Sequence, residues 1–445
     1  MTSEMLLADK YLSIIHNRGK RGLPLKRVFH NMRKKGLFFR AYANLYANDG
    51  ATTVGSDPED TIQGMSVERI EKLISSLSNG SFRWRPANRR YVPKLNGSKR
   101  TISIPSWSDK MVQEVMRMIL EAYYEPQFRE SSHGFRPNRG CHTALESIKA
   151  EWTGTKWFIE GDIKGCFDNI NHDLLLHLLS QHIHDNRFLK VVRGMLTAGY
   201  MEDWIYHQTF SGTPQGGVIS PLLSNIVLHE LDAFVEDELI PAYTQGKRRK
   251  KNNEYRRAQD RYHYHKQHGN HERAREERKQ MRQLPSRDPY DPDYRRLRYV
   301  RYADDFILGF TGSKTEADEI KQKLSNFLKN IKLTLSQEKT KITHARTEKA
   351  RFLGYDIAVA WSDNRISRSQ EGIKGRFLNG TIKLLAPREV TMKWIAKYSH
   401  KGKPYPNHQL IRASDYEIVA TFGAQLRGVA NYYILASNVS KAFNQ

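Results

Sequence analysis

Cysteine is nearly absent from this chain: among 445 residues there are only two, Cys141 and Cys166. Two cysteines cannot build a disulfide framework, and they cannot supply a four-cysteine zinc site. Their scarcity indicates a reducing compartment. A hydrophobic core is therefore expected to hold the fold, and the length is sufficient for two or three domains.

Long hydrophobic runs are also missing. No apolar stretch approaches the roughly eighteen residues that a membrane-spanning helix requires, so we expect no membrane insertion. Residues 1–10 include acidic side chains and lack the basic, apolar and small segments of a secretory signal. We therefore expect no cleaved signal peptide and an intracellular protein.

Positive charge is in large excess, with 72 Lys and Arg against 48 Asp and Glu, a net charge of +24. Such an excess indicates a polyanionic partner, either nucleic acid or an anionic membrane surface. Because no membrane span is expected, nucleic acid is the favoured partner. We expect its affinity to fall steeply with salt.

Much of this charge lies in residues 247–298, which hold 18 Lys and Arg, 8 Asp and Glu, and almost no aliphatic residues. This composition predicts a solvated, partly helical insertion at about residues 241–298. It contains the basic run Arg248, Arg249, Lys250 and Lys251, and several His and Tyr residues between 262 and 271. No cysteine is near these histidines and their spacing fits no zinc finger, so RNA contact is favoured over metal binding. A disordered basic tether remains the alternative.

Several segments have clear secondary-structure signals. Apolar positions at helical spacing predict helices within residues 1–50, at 111–124 and at 416–435. Extended segments on either side of Asn96-Gly97 predict a hairpin. An apolar strand is predicted at 156–163. Ser220 and Pro221 are predicted to begin a helix, with Ser220 as its cap.

Two adjacent carboxylates, Asp304 and Asp305, stand between apolar runs within residues 297–310. The flanking residues favour strands, so the acidic pair is predicted at the turn of a hairpin. Like charges at this position repel each other unless a cation lies between them, and Mg²⁺ accepts clustered oxygen ligands. Asp162, at the end of its predicted strand, is a candidate third ligand. The alternative is an exposed acidic turn.

The order and spacing of these motifs resemble the reverse transcriptase family, and more narrowly the proteins encoded by group II introns. The motifs that carry the resemblance are Ser132–Gly140, Asp162–Phe167, Gly212–Gly217 with Ser220-Pro221, Tyr302–Asp305, Leu335–Thr340, Phe352–Gly354 and Gln425–Tyr433. The resemblance covers residues 49–360 with high specificity and 361–445 with less.

The resemblance implies an α+β right-hand polymerase with fingers, an antiparallel-sheet palm, and a helical thumb or domain X. The implied divisions are a basic N-terminal extension (1–50), fingers and palm (51–360), and an apparently incomplete thumb (361–445). The implied activity is RNA-templated DNA synthesis, combined with binding of the parent intron RNA. Expected partners are therefore group II intron RNA, a DNA primer or target, and dNTPs, in the bacterial cytoplasm or an organelle matrix.

By the same resemblance, Asp162 and Asp304 would hold two Mg²⁺ ions, with Mn²⁺ as a substitute, and Asp305 and the Ile163 carbonyl would assist. The remaining roles also follow from the resemblance. The nucleotide-binding residues would be Lys94, Arg100, Phe167 and Gln215. The acid that protonates pyrophosphate would be Lys339, with Lys341 as the competing candidate. The primer grip would be Phe352, Leu353 and Gly354, and the RNA contacts would include Arg136, Arg139 and Arg427. Phe167 would exclude a ribose 2′-hydroxyl. Arg136 and Arg139 could instead pair with acidic side chains, and Tyr432 and Tyr433 could be thumb core.

Two departures from the family pattern limit these expectations. Many relatives carry an HNH endonuclease after the thumb, whereas this sequence stops at Gln445, so we expect no strand cleavage. Residues 51–57 depart from the usual loop sequence, so the resemblance does not extend to template contacts by this loop. The rival hypotheses are a splicing-only maturase and a host-adopted reverse transcriptase serving defence or spacer acquisition.

Overall fold

The computed structural model describes residues 3–47, 53, 55, 57–93, 97, 99–202, 205–213, 216–289, 291–362, 367–368, 374–375, 379–400 and 402–443. Within these ranges, no helix is both long enough and apolar enough to cross a membrane. Lys94, Asn96 and Gln215, singled out above, lie outside the described residues.

The described chain contains both helices and strands. The helices are α1 (Ser3–Lys20), α2 (Val28–Met32), α3 (Lys35–Tyr46), α4 (Val67–Ser78), α5 (Trp107–Tyr124), α6 (Cys141–Glu151), α7 (Cys166–Asn169), α8 (His172–His182), α9 (Asn186–Leu196), α10 (Ser220–Ala233), α11 (Ile240–Ala242), α12 (Asn253–Gln267), α13 (His271–Gln283), α14 (Lys314–Asn330), α15 (Arg388–Lys397), α16 (Asp415–Tyr432) and α17 (Val439–Phe443). The strands are β1 (Ala87–Pro93), β2 (Lys99–Ile104), β3 (Trp157–Asp162), β4 (Tyr200–Glu202), β5 (Ile205–His207), β6 (Arg296–Tyr302), β7 (Asp305–Thr311), β8 (Lys341–His344), β9 (Ala350–Phe352), β10 (Tyr355–Val359), β11 (Ser367–Arg368), β12 (Lys374–Gly375), β13 (Ile382–Leu385), β14 (Ser399–His400) and β15 (Lys403–Pro404).

The chain forms two interleaved units. Unit 1 comprises residues 1–137, 163–234 and 325–335, and unit 2 comprises residues 138–162, 235–324 and 336–445. Each unit therefore draws its core from segments that are distant in the sequence.

Unit 1 is built on helix α5, whose apolar residues are almost all buried. Helices α1 and α3 pack against it. A four-stranded sheet in the order β2-β1-β4-β5 contains the predicted hairpin, with Val92 opposite Arg100. Gly97 has φ +82°, the left-handed conformation that made Asn-Gly a turn signal. The predicted hairpin and helices of this unit are confirmed.

The cap predicted for helix α10 is wrong. Ile219 occupies the capping position, and Ser220 is the first helical residue. Ser220 is buried, and its N–H donates to the Gly217 carbonyl at 3.3 Å. The turn that begins at Gly217 therefore starts the helix, and Pro221 still lies in the first turn, where its missing N–H costs no hydrogen bond.

Unit 2 contains an antiparallel sheet in the order β6-β7-β3-β8 and a second sheet in the order β13-β10-β9. One buried cluster joins α6, both sheets and the C-terminal region, including Trp152, Phe158, Ile307, Tyr355 and Tyr433. The predicted C-terminal helix is present as α16, and its end contributes Tyr433 to this core.

The predicted insertion forms two antiparallel helices, α12 and α13, that pack on each other. Ala258 and Ala274 are the only residues buried in these two helices, and the rest of the pair is largely exposed. Arg261 donates to both carboxylate oxygens of Glu277, at 2.7 and 3.0 Å. The prediction of a solvated, partly helical segment is confirmed, and the disordered alternative is wrong for these two helices.

Asp109, in the first turn of α5, is expected to make unit 1 less stable at alkaline pH. Its side chain is buried and accepts a hydrogen bond from the Arg85 N–H at 3.1 Å, and burial raises its pKa to about 7. The folded state thus retains a proton that the unfolded chain releases near pH 4, so this contribution to stability is lost as pH rises from about 4 to 7. Asp109→Asn is expected to raise the free energy of unfolding at pH 8 by roughly 2–4 kcal/mol, and by less at pH 5. Urea titrations at both pH values measure the difference, and an equal gain at both would contradict it.

Candidate active site

The centre of the candidate site is the pairing of strands β3 and β7. They run antiparallel, and Asp162 lies directly opposite Asp305. Side chains of directly opposed residues point to the same face of a sheet, so the two carboxylates are neighbours. The sequence predicted that these two acids share one site, although they are distant in the chain, and the register places them together.

Because Gly161 has no side chain, the ring of Phe306 can lie against its backbone. A Cβ built at Gly161 would lie 2.2 Å from the ring of Phe306, its partner in register. Phe306 is almost fully buried, so its ring has little room to move. Sequence reasoning missed this residue, although a glycine inside an apolar strand is a signal of close approach.

The acidic turn differs by one residue from the predicted turn. Tyr302 pairs with Asp305, so the turn residues are Ala303 and Asp304, and Asp305 begins strand β7. Ala303 has φ +55°, in the left-handed region that a hairpin of this length requires and glycine usually provides. The acidic pair therefore combines one turn carboxylate and one strand carboxylate.

Arg301 supports this turn from inside and was not identified from the sequence. Its side chain is fully buried, and its Nη1 donates to the Ala303 carbonyl at 2.9 Å. A buried guanidinium is unusual unless it is hydrogen-bonded. The signal in the sequence was an arginine at a position that alternates with Leu297 and Tyr299, on the buried face of strand β6.

The three carboxylates repel one another. Partial desolvation of the Asp305 carboxyl group, followed by the charges of Asp304 and Asp162, raises the pKa of Asp305 to about 6, although the residue as a whole is exposed. Lys339 opposes this effect. Its Nζ lies 3.0 Å from each carboxylate oxygen of Asp162, and this hydrogen-bonded pair raises the pKa of Lys339.

The donor set suits a hard divalent cation. Among the described residues, no group of three or more His, Cys, Asp or Glu side chains is arranged to hold a metal ion, and the cation in contact with Asp162 is the Lys339 ammonium. Nevertheless, the three carboxylates lie at one turn and the adjoining ends of β3 and β7, and desolvation followed by the charges of Asp304 and Asp162 raises the pKa of Asp305. An added cation relieves such repulsion, and oxygen ligands are those Mg²⁺ prefers. Asp162, Asp304 and Asp305 therefore fit a divalent ion chemically.

The predicted primer grip is a two-residue hairpin turn between β9 and β10. Leu353 and Gly354 both have positive φ, +47° and +71°, as a tight hairpin turn of this type requires. Hydroxyl groups from the end of α16 bind this turn: Tyr432 donates to the Leu353 carbonyl at 2.9 Å, and Tyr433 donates to the Gly354 carbonyl at 3.2 Å. These tyrosines thus do more than fill the core.

The remaining candidates for nucleotide binding that the structure describes lie in unit 1. Phe167, in the short helix α7, is half-buried, and its ring meets that of Phe135 edge-on at 6.3 Å. The Phe167 carbonyl accepts the Thr213 N–H at 2.7 Å, which joins two of the sequence motifs. Ile163 bridges Leu335, and Arg100 is exposed on β2.

The candidate RNA contacts differ in exposure. Arg136 is buried and donates hydrogen bonds to the Glu125 carboxylate and to the Arg129 and Ser132 carbonyls. It therefore pairs with an acidic side chain, which was the alternative to RNA contact. Arg139 and Arg249 are half-buried. The exposed residues of this set are Arg248, Lys250, Lys251 and Arg427, of which Lys250 pairs with Asp293.

Comparison with known proteins gives a consistent result. Residues 92–357 match the model of the reverse transcriptase (RNA-dependent DNA polymerase) family. The chain is 44% identical over 438 residues to the group II intron-encoded protein LtrA of Lactococcus lactis, covering 94% of this chain and 71% of LtrA. It is 24% identical to nuclear intron maturase 1 of Arabidopsis thaliana, over 86% of this chain and 63% of that protein.

Among solved structures, telomerase from Candida tropicalis aligns with a TM-score of 0.40 and 14% identity, over 68% of this chain and 50% of that chain. The match to the family model includes all three carboxylates and the β3–β7 pairing. The predicted α+β right-hand polymerase fold and its enzyme class are thereby confirmed. The chain belongs to the reverse transcriptase family and, within it, to the proteins encoded by group II introns.

Proposed function

We propose that this protein synthesises DNA on an RNA template and binds its parent group II intron RNA to assist splicing and mobility. The observation that carries the proposal is the pairing of Asp162 with Asp305, beside Asp304 in the turn. The names of its relatives, an intron-encoded protein and an intron maturase, support the intron-related role. In splicing the protein would act as a scaffold, because the RNA supplies the chemistry.

Asp162, Asp304 and Asp305 would hold two Mg²⁺ ions, assisted by the Ile163 carbonyl, and bound ions would activate the primer 3′-oxygen and stabilise the leaving pyrophosphate. The other roles belong to the chain itself. Lys94 and Arg100 would bind the triphosphate, and Gln215 would pack near the new base pair. Phe167 would select dNTPs by excluding the 2′-hydroxyl. The turn at Leu353 and Gly354 would hold the primer end.

Lys339 would donate a proton to pyrophosphate after leaving Asp162. Its pKa is raised while it is paired with Asp162, which opposes proton release, so the ion pair must open before Lys339 acts as an acid. Lys341, the competing candidate, is exposed on β8 opposite Glu160. The two lysines therefore make a matched pair for mutation.

We expect Lys339→Met to lower the single-turnover rate of nucleotide addition about 100-fold, because proton donation contributes roughly 10²–10⁴-fold. Lys341→Met should change it less than threefold. Rapid-quench extension of a primer, measured from pH 6 to 9, gives the rates, and the alkaline arm of the profile should change only in Lys339→Met. A loss confined to Lys341→Met would assign the role to that residue.

We expect Tyr432→Phe and Tyr433→Phe each to weaken primer binding. Each change removes a hydroxyl that hydrogen-bonds the Leu353 and Gly354 turn, worth about 1 kcal/mol, so KM for primer–template should rise about fivefold with kcat nearly unchanged. Tyr416→Phe, on the exposed face of the same helix, is the control. If all three variants had the same KM, the tyrosines would not position this turn.

Primer extension on homopolymer RNA tests the polymerase activity. The protein should extend oligo(dT) on poly(rA) with dTTP in the presence of Mg²⁺, and should discriminate against UTP. A splicing-only maturase would incorporate no dNTP under these conditions. Failure of extension in protein that still binds RNA would therefore favour that rival.

Binding of intron RNA tests the second part of the proposal. The exposed, basic α12 and α13 are the main support for an RNA surface outside the polymerase site. Filter binding should show tighter binding to a group II intron RNA than to an unrelated structured RNA of equal length. Equal affinity for both would favour a host-adopted reverse transcriptase.

A further inference from the structure

A basic cavity lies at the opposite end of strand β3 from the carboxylates. It has a volume of about 490 Å³ and lies wholly within unit 2. The residues that line it include Lys156, Trp157, Arg249, Asp291, His344 and Arg346. Trp157 precedes Asp162 by five residues in β3, so roughly 17 Å of extended strand separates the cavity from the polymerase site. The cavity is therefore a separate place on the molecule.

Positive charges are gathered in this cavity against their mutual repulsion. Burial, followed by the charges of Arg249, Arg346 and Arg295, lowers the pKa of Lys156. Burial also lowers the pKa of Arg249, whose Nη2 donates to the Gly154 carbonyl at 3.2 Å. Folding thus brings together cations that repel each other, and an anionic ligand would offset that repulsion.

Acidic side chains offset part of this positive charge: Asp288 acts on Lys156 and Arg249, and Asp291 acts on Arg249. Asp291, the one carboxylate among the described residues that line the cavity, accepts the Lys250 N–H at 2.7 Å and the Asp293 N–H at 3.0 Å. Glu316 accepts two hydrogen bonds from Arg295, at 2.7 and 2.9 Å. These carboxylates hold the walls of the cavity in place, and the cavity retains an excess of cations.

Aromatic rings lie among these cations. Trp157 and His344 meet edge-on at 4.9 Å, and both line the cavity. The Arg249 guanidinium lies over the Tyr294 ring at 5.2 Å, and Arg346 lies over Trp361 at 3.5 Å. Cations held beside aromatic rings are the combination that binds single-stranded nucleic acid, with phosphates on the cations and bases on the rings.

We propose that this cavity binds a single-stranded RNA segment, with phosphates on Lys156, Arg249 and Arg346 and a base against Trp157. Its volume lies within the range of small-molecule sites, so it admits one or two unpaired nucleotides and excludes a duplex. The site is independent of the polymerase centre. It gives the protein a way to hold an unpaired strand while the carboxylates act elsewhere.

Fluorescence anisotropy with a labelled 12-nucleotide oligouridylate tests the proposal, using the full chain and salt from 50 to 300 mM. The double variant Lys156→Met/Arg346→Gln should bind at least tenfold more weakly at low salt. Its plot of log affinity against log salt should be less steep by about 0.7 for each lost phosphate contact. Trp157→Leu should weaken binding about tenfold without changing this slope, because stacking carries no counterion release.

Lys329→Met is the control, because it removes an exposed cation outside the cavity. It should leave affinity and slope close to those of the wild type. A DNA oligonucleotide of equal length separates two forms of the proposal: equal weakening by the variants indicates recognition through phosphates, and weaker DNA binding indicates a contact with the 2′-hydroxyl. Both results support the site.

The proposal is overturned if the double variant and Trp157→Leu, each folded by circular dichroism, bind the RNA as the wild type does. Should the double variant fail to fold, Lys156→Met alone and Trp157→Leu decide the matter. Primer extension on poly(rA) distinguishes a loss of polymerase activity from a loss of RNA binding in the cavity. It should be retained in the cavity variants, whereas a variant lacking a site carboxylate should lose extension and keep oligouridylate binding.

Discussion

Replacing Asp162 by asparagine is expected to reduce DNA synthesis by about 10³-fold or more, the order of effect seen when a residue of a catalytic set is removed. Asparagine has nearly the same shape, so the β3–β7 register should persist while the charge opposite Asp305 is lost. Asp304→Asn should have a similar effect. Primer extension on poly(rA), under single-turnover conditions, measures the loss.

A third carboxylate variant, Asp305→Asn, should show a gain in stability. The raised pKa of Asp305 indicates that its ionised form is disfavoured in the folded protein, so Asp305→Asn should raise the melting temperature at pH 8 while it impairs synthesis. Asp318→Asn, an exposed change on α14, is the control and should alter neither quantity. Full activity in Asp162→Asn would remove the basis for a shared carboxylate site.

Among the variants considered, replacing Arg301 by methionine is expected to lower the free energy of unfolding the most. Its guanidinium is fully buried and donates to the Ala303 carbonyl, so the change leaves that carbonyl without this donor beneath the acidic turn. A buried acceptor that is left without its donor typically costs about 1–3 kcal/mol. Chemical denaturation should show this loss, and any folded protein should extend primers poorly because Asp304 is displaced.

Arg301→Lys separates position from charge. Lysine keeps the charge but lacks the planar fork of donors, so it should recover part of the stability and little of the synthesis. Arg278→Met, on the exposed surface of α13, is the matched control and should be neutral. If Arg301→Met were as stable and as active as the wild type, the turn would not depend on the buried guanidinium.

The strands of the polymerase sheet could be predicted from the sequence because their apolar runs are long and end at acidic residues. The register could not be predicted in the same way. It depends on Gly161 lying beneath the Phe306 ring, a contact between residues 145 positions apart in the chain. The helix cap at Ser220 was wrong because a backbone turn from Gly217 starts that helix instead of a side chain.

The supporting contacts of the site were harder to predict than its acids. Arg301 looked like one more cation in a basic chain, and only its complete burial sets it apart. The hydrogen bonds from Tyr432 and Tyr433 reach a turn 79 residues earlier in the chain, so no local sequence pattern predicts them. The same applies to Lys339, whose pairing with Asp162 spans 177 residues.

The two ends of the helical pair α12 and α13 lie side by side where the pair joins the rest of unit 2. Lys251 and Arg287 form a β-bridge, and the Asn252 N–H donates to the Ser286 carbonyl at 3.2 Å. The pair can therefore be excised between Asn252 and Ser286 and replaced by a short glycine linker. Such a trimmed protein would test whether binding of intron RNA can be separated from DNA synthesis.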